Sequence, residues 1–373
     1  MIYSTFGNSG IQVSQVGLGL GLGGSSARTA SDQPLKEAIA AGLAAGVNHF
    51  DTAEIYGGGQ SEEILGTFSR EMLQGGLVAT KVSPSNFSPE RLASSIEGSL
   101  KRLRSEAIDL LYLHWPNPSI PLSETLHAVK DALTSGKIRS FGLSNFPISG
   151  IEEIMGLIGS EHVSAIQAEY NLFDRSAERD LLPFCRERGI AFVAYSPLDQ
   201  GTLCGNTDHL AVLNSIASSA GCTAAQLALA WLVKKSSVFL MPASGSPSRV
   251  QENSLSAQVD VDDTVFDQID VLTAFSPQLV VAKSVRVIPD PLGRREVYET
   301  LQDAISNPSG HSPSPLELSE DLLGGAVLKP VRLRQESGEE GELRYALTEG
   351  RIRFWAHVIA FGSGALVPAL IRR

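Results

Sequence analysis

Cysteine is scarce in this chain of 373 residues. Three occur, Cys185, Cys204 and Cys222, at no spacing that suits a metal site or a redox pair. A disulfide framework is excluded, no metal centre is expected, and a reducing, cytoplasmic setting with structural thiols is the expectation. Long apolar runs are missing as well. No stretch approaches the roughly 20 residues that cross a bilayer, so no membrane partner is expected. The opening "MIYSTFGNSG" has neither the basic start nor the apolar centre of a secretion signal. A surplus of positive charge is also absent. Residues 1–275 hold 18 Lys and Arg against 29 Asp and Glu, and residues 276–373 hold 12 of each. Nucleic acid is therefore not an expected partner, because non-specific binding to it needs a basic surface.

What remains is the composition of a globular protein, 43% hydrophobic and 19% charged. From about residue 12 to residue 245, β-like runs alternate with amphipathic helical segments. The strand candidates are "QVGLG", "NHFDTA", "LVATKV", "IDLLYLHW", "IRSFGLSN", "SAIQAEYN", "IAFVAYSP" and "VFLMPAS". Between them lie segments such as "SPERLASSIEGSLKRL" and "PLSETLHAVKDALTSG", the latter opening on Pro and closing on Gly as a helix should. Eight strands in βα alternation specify the α/β class and a (β/α)8 TIM barrel. The boundaries expected are residues 1–275 for the barrel and 276–373 for a small α+β domain with its linker.

The run "GLGLGLGG" at 17–24 fits G-x-G-x-x-G through Gly19, Gly21 and Gly24. A dinucleotide fingerprint needs its glycines to enter a helix directly, so that a pyrophosphate meets the helix N-terminus. Here "SSARTASDQ" intervenes before the first helical segment at Pro34, and Asp51 comes late for the acid that holds a ribose. A loop over the barrel mouth accounts better for the run.

Strands buried on both sides should be apolar, yet polar residues collect at their C-terminal ends, where barrels of this kind place their chemistry. Asp51 ends the second strand, Lys81 the third, and His114 with Trp115 the fourth. Ser144 and Asn145 end the fifth, Gln167 and Asn171 lie on the sixth, and Tyr195 and Ser196 end the seventh. Singly, each has a bland explanation as a solvated or satisfied residue. Together they form one polar floor.

The segments "FDTAEIYGGGQSEEILG" (50–66), "ATKVS" (79–83), "DLLYLHWP" (109–116), "GKIRSFGLSNF" (136–146), "QAEYN" (167–171) and "AYSPL" (194–198) resemble the aldo-keto reductases, in family order. The resemblance spans roughly residues 1–275. It implies an NAD(P)H-dependent oxidoreductase that moves hydride between nicotinamide C4 and a carbonyl or alcohol carbon, on an aldehyde, ketone or sugar. It further implies a catalytic tetrad of Asp51, Tyr56, Lys81 and His114. Tyr56 would be the general acid in reduction and the base in oxidation, tuned by Lys81 and Asp51, with His114 orienting the carbonyl oxygen. A phenol with pKa about 10 is poorly matched to neutral pH, and a neighbouring ammonium is expected to lower it.

By the same resemblance Ser144, Asn145 and Gln167 hold the nicotinamide carboxamide, and Tyr195 stacks on its ring. Ser196 and Leu198 follow the pyrophosphate, while Ser244, Arg249, Glu252 and Asn253 surround the adenosine end. Ala243 stands where many NADPH-specific members carry Lys, whereas Arg249 remains to pair with a 2′-phosphate. NADP(H) is favoured and NAD(H) stays open. Gly21 replaces an aromatic wall of the substrate pocket, which leaves Trp115 as its aromatic residue.

Beyond residue 275 the pattern is a junction, a strand, a helix and a Pro/Ser/Gly-rich loop, then "VLKPVRLRQ", the turn "ESGEEGE", "LRYALTEG", the helix-like "RIRFWAHVIAFG" and "LVPALIRR". The last portion resembles ParB/sulfiredoxin-like domains, in which a strand ends in a Gly-Arg turn that opens a helix. Gly350, Arg351 and Arg353 occupy that turn, so a nucleotide or other phosphate is one reading, and a structural or oligomerising appendage, including a homo-oligomer contact, is another. A second function class stays open for the whole chain: a cofactor-loaded redox sensor that signals through the C-terminal domain.

Overall fold

The computed structural model describes the chain except for residues 22–27, 30, 118, 206–209, 236, 273–277, 289–297, 309, 311–312, 327, 329, 338–342 and 373. The chain divides into two compact units, Met1–Thr273 and Ala274–Arg373.

In the first unit a hairpin of β1 (Tyr3–Thr5) and β2 (Gln12–Ser14) precedes eight parallel strands. These are β3 (Leu18–Gly19), β4 (His49–Asp51), β5 (Leu77–Val82), β6 (Leu110–Leu113), β7 (Phe141–Ser144), β8 (Val163–Glu169), β9 (Ala191–Tyr195) and β10 (Val238–Met241). From β4 onward each pairs with its predecessor in sequence. Bridges from Val16 to Leu240 and from Gly19 to Ala243 join the last strand to the first and close the barrel. The helices around it are α1 (Gln33–Ala44), α2 (Gln60–Leu65), α3 (Pro89–Leu103), α4 (Leu122–Thr134), α5 (Ile148–Ile158), α6 (Leu181–Arg188), α7 (Ala211–Ser219), α8 (Ala224–Val233), α9 (Pro247–Leu255) and α10 (Asp263–Leu272).

Local sequence explains these helices. In α3, Pro89 starts the first turn, Glu90 meets the positive end of the helix dipole, and Lys101 and Arg102 meet the negative end. Its buried face is Leu92, Ile96, Leu100 and Leu103, spaced at one helical turn. Thr223 and Gln226 form a reciprocal capping box that starts α8, whose Leu227, Ala228 and Trp231 are buried.

Side chains alternate along barrel strands between the interior and the helical shell. Leu18, Leu111, Leu113, Phe141, Leu143, Ile166 and Phe192 pack outward with the helices. Leu77, Ala79, Leu110, Tyr112, Ala165, Ala191, Val193, Phe239 and Met241 fill the interior, joined by Phe6 and Val13 from the hairpin end. The glycine run follows this alternation through β3 and Leu20, whose N–H donates to the Asp51 carbonyl at 2.8 Å, rather than lying wholly in a loop. A Cβ at Gly17 would come within 2.3 Å of Met241 Cε, and one at Gly21 within 2.9 Å of the Tyr56 ring. Leu18 and Leu20 face out and the glycines face in, making room for side chains from other segments. Gly24 lies outside the described residues.

The second unit carries β11 (Gln278–Val281), β12 (Val285–Val287), α11 (Leu301–Ser306), α12 (Pro315–Leu323), β13 (Val331–Ser337), β14 (Leu343–Glu349), α13 (Arg351–Phe361) and β15 (Leu366–Arg372). Its five strands form a mixed sheet in the order β11-β15-β13-β14-β12. Val280, Val331, Leu333, Leu347, Val367 and Ala369 pack with Phe354 and Val358 of α13 into a separate core. This is the expected α+β unit, with two differences. Two short strands replace the single one after the junction. The Pro/Ser/Gly-rich loop ends in a helix, α12, because Ser314 and Glu317 cap each other and Pro315 sits in the first turn.

Candidate active site

Lys81 is the centre of the polar floor. It lies near the end of β5, fully buried, and its Nζ donates to Asp51 Oδ1 in a very short contact. The same Nζ donates to the Thr52 carbonyl at 3.0 Å and reaches the Tyr56 hydroxyl at 3.5 Å. A charge without solvent persists only when paired and hydrogen-bonded, and these partners meet that need. Burial acts to lower the Lys81 pKa, but Asp51 and Tyr56 outweigh it and the net shift is upward. The lysine stays an ammonium.

Tyr56 opens a short 3-10 turn, Tyr56–Gly59. Its ring meets that of His114 edge to face at 5.9 Å, and His114 stacks on Trp115 at 3.7 Å. Trp115 itself is exposed. Burial raises the phenol pKa, Lys81 pulls it down, and Asp51 adds to the rise. The net shift is upward, opposite to the direction expected from the ammonium alone, because removing a phenolate from water costs more than one cation returns. His114 is held well below the ordinary histidine value by burial and then by Lys81, so its ring is neutral. Its Nδ1 is buried without a hydrogen-bond partner.

Asp51, Tyr56, Lys81 and His114 therefore converge at the C-terminal end of the barrel, with Gln167 beside them. Gln167 Nε2 donates to Asp51 Oδ2 at 2.8 Å. Asn145, in a left-handed conformation at φ 65°, donates to the His114 carbonyl at 3.1 Å and to Ser144 Oγ at 3.0 Å. Asn145 Oδ1 accepts from the Tyr195 hydroxyl at 2.8 Å. Ser144, Asn145, Gln167 and Tyr195 thus form one connected rim. Ser196 follows in a left-handed conformation at φ 48°, and Leu198 is buried.

Around α9, Ser244 Oγ accepts from the Ser246 backbone N–H at 3.1 Å, and Ser246 and Ser248 hydroxyls are 3.0 Å apart. Arg249 and Ala243 are exposed there. Glu252 Oε1 accepts from Thr223 Oγ1 at 2.6 Å, while Asn253 is buried. Hydroxyls, an exposed guanidinium and a helix start are the donor chemistry that suits a phosphate-bearing cofactor. Polar amides with a half-buried Tyr195 at the barrel mouth suit a nicotinamide.

In the second unit, Gly350 caps α13 at φ 91°. Arg351 donates to the Ile288 carbonyl at 2.5 Å, and Arg353 donates to the Pro330 carbonyl at 3.0 Å and lies 4.0 Å from Glu349. Both arginines are engaged within their own unit.

Glu54, Glu62 and Thr80, close in the chain to Tyr56 and Lys81, do not stand out in the sequence as site residues. Glu62 is fully buried and accepts from Thr80 at 2.6 Å. Its signal is the pair of acids in "GGGQSEEILG", one of which falls on the apolar face of α2.

Residues 15–274 match the model of the aldo/keto reductase family. The methylglyoxal reductase YeaE of Escherichia coli is 32% identical over 234 residues, 62% of this chain and 82% of the relative. The aldo-keto reductase YhdN of Bacillus subtilis is 34% identical over 216 residues, 55% of this chain and 64% of the relative. Among solved structures, an aldo-keto reductase from Klebsiella pneumoniae in complex with NADPH superposes with TM-score 0.65 at 29% identity, covering 73% of this chain and 96% of that one. A thermostable aldo-keto reductase in complex with the inhibitor epalrestat gives TM-score 0.67 at 36% identity, covering 73% of this chain and all of that one.

Proposed function

The chain belongs to the aldo/keto reductase family, and from that premise we propose that Asp51, Tyr56, Lys81 and His114 carry out its NAD(P)H-dependent carbonyl reduction. The observation that carries this assignment is the placement of Lys81 Nζ, within hydrogen-bond distance of both Asp51 and the Tyr56 hydroxyl.

NADP(H) is the favoured cofactor and, when bound, would supply or receive the hydride. A relative in the same fold binds NADPH, and here Arg249, Ser244, Ser246 and the start of α9 would hold its phosphate end. Ser144, Asn145, Gln167 and Tyr195 would hold the nicotinamide end. As a carbonyl carbon takes hydride, its oxygen gains charge and needs a proton. Tyr56 is kept protonated by burial, so it enters the step as an acid. The Lys81 ammonium stabilises the phenolate left behind, and Asp51 holds the ammonium in place. Neutral His114 orients the carbonyl oxygen through a hydrogen bond rather than a charge. In the alcohol-oxidising direction the same phenolate is the base.

Consumption of NADPH with a panel of aldehydes, ketones and aldoses tests the assignment. Turnover by the native chain that Tyr56→Phe abolishes supports it, and turnover unchanged by Tyr56→Phe sinks it. For the second unit, the ParB/sulfiredoxin-like reading rests on its strand, glycine, arginine, helix order. Phosphate binding at Gly350, Arg351 and Arg353 requires an anion to compete with the Ile288 and Pro330 carbonyls. Calorimetry of the full chain with a nucleoside triphosphate decides that reading.

A further inference from the structure

The turn that carries Tyr56 is closed by backbone bonds, Tyr56 N–H to the Ala53 carbonyl at 3.0 Å and Gly58 N–H to the Ile55 carbonyl at 3.1 Å. Beyond the tyrosine it has no side chain to anchor it. Gly57, Gly58 and Gly59 follow the tyrosine with φ of 59°, 58° and 90°, a left-handed run that glycine alone adopts readily. The hydroxyl must nevertheless stay within reach of Lys81. On each side of the tyrosine a carboxylate reaches across to the strand that carries the lysine.

Two residues before it, Glu54 Oε1 accepts from the Ser83 backbone N–H at 2.7 Å and from Asn86 Nδ2 at 2.9 Å. The Glu54 backbone N–H donates to the Lys81 carbonyl at 3.2 Å. Six residues after it, Glu62 on α2 accepts from Thr80 Oγ1 through Oε1 and from Arg102 Nε through Oε2, each at 2.6 Å. Thr80 immediately precedes Lys81 in β5, so this bond ties the helix to the lysine's own strand. The stem of Arg102 lies against the turn, since a Cβ at Gly59 would come within 2.7 Å of Arg102 Cδ.

A fully buried carboxylate adds little stability over a well-packed apolar residue. What directed bonds add is a fixed separation. We infer that Glu54 and Glu62, acting through Ser83, Thr80 and Arg102, are positioning residues that set the distance between the Tyr56 hydroxyl and the Lys81 ammonium. The inference rests on the acid–base assignment of Tyr56. It concerns how the loop is aimed, since neither carboxylate bonds to the tyrosine side chain.

Thr80→Val in the full chain removes one hydroxyl at nearly constant shape and leaves the Glu62–Arg102 pair intact. The expected result is a fall in kcat of about tenfold or more, because a misplacement near 1 Å costs on the order of 100-fold. The carbonyl KM and the NADPH Kd stay within about twofold. Titration of Tyr56 by 13Cζ-tyrosine NMR moves upward as the ammonium's influence weakens. Thr80→Ser restores all three. Unchanged kcat and titration in Thr80→Val overturns the inference, as does a loss that Thr80→Ser leaves unrescued or one shared equally by cofactor affinity. Should Thr80→Val not fold, Glu54→Leu, which removes the acceptor of the Ser83 and Asn86 bonds, is judged by the same measurements at the half-buried clamp. If Tyr56→Phe retains full turnover, the acid–base assignment fails instead, and the tyrosine titration still reports on the positioning.

Discussion

Gln167 on β8 and Asp51 on β4 stand on opposite sides of the barrel and meet in its middle, Nε2 to Oδ2 at 2.8 Å. Asp51 has its other oxygen on Lys81, so both of its oxygens are held by donors. The amide is therefore part of the acid–base cluster as well as of the rim. Gln167→Leu should leave Asp51 Oδ2 buried and unsatisfied. The expected cost is about 1–3 kcal/mol in urea unfolding, with kcat reduced. A variant as stable and as active as the native chain would count against the contact.

Asp51→Asn keeps the shape and removes the counter-charge of a lysine that is 0% exposed. Breaking a buried pair from one side costs about 3–5 kcal/mol. The lysine is then free to respond to its burial, which lowers its pKa and weakens its hold on the phenolate. Denaturation at pH 7 and pH 9 checks both effects, with a larger loss expected at pH 7, where the lysine must still be charged.

Gly21→Ala tests the packing of the tyrosine. The new methyl would meet two carbons of the Tyr56 ring at 2.9 Å, so the ring must move. Expected is a fall in kcat of about tenfold, with NADPH affinity retained. A Trp at this position is incompatible with Tyr56 where it now lies. Equal kcat in Gly21→Ala would mean that the ring tolerates displacement.

His49 sits in the barrel interior against Phe6 and Phe239, with both ring nitrogens buried and unpartnered. Burial, then Lys81, lowers its pKa from 6.5 to about 3. Between those values the unfolded chain binds a proton that the folded chain refuses. Stability is therefore fully present above pH 6.5 and is lost toward pH 3, by up to about 1.4 kcal/mol per pH unit. His49→Leu should flatten this acid limb in calorimetric scans without lowering stability at pH 7. An unchanged pH slope would refute the account.

Arg249→Met should raise the KM for NADPH roughly tenfold or more while leaving NADH little affected, since a charge-assisted bond contributes about 1.5–3 kcal/mol. Ala243 makes the test sharp because it supplies no second cation there. Equal effects on the two cofactors would place the phosphate elsewhere.

The barrel is legible in the sequence because strands such as β6, "LLYL", are apolar runs and its helices carry a one-turn apolar spacing, as α3 shows. The convergence of Asp51, Tyr56, Lys81 and His114 is legible through the motifs that flank them. Other features depend on three dimensions. The partner of Gln167 lies 116 residues away, and no local pattern announces it. The upward shift of Tyr56 requires knowing how much water the fold removes. The hairpin strands β1 and β2 are three residues each, too short for alternation to register. The helix α12 was hidden by its Pro and Ser, which read as loop residues although "SPLE" is also a helix start.

The inward Gly17, Gly19 and Gly21, in and beside β3, have a consequence for anyone who would redirect this enzyme to another substrate. That stave of the barrel lends the cavity only peptide groups, and side chains from elsewhere already occupy the space at Gly17 and Gly21. Substitution at either position has to displace those side chains, as Gly21→Ala would displace the Tyr56 ring. New selectivity is better sought at the exposed Trp115, just after β6.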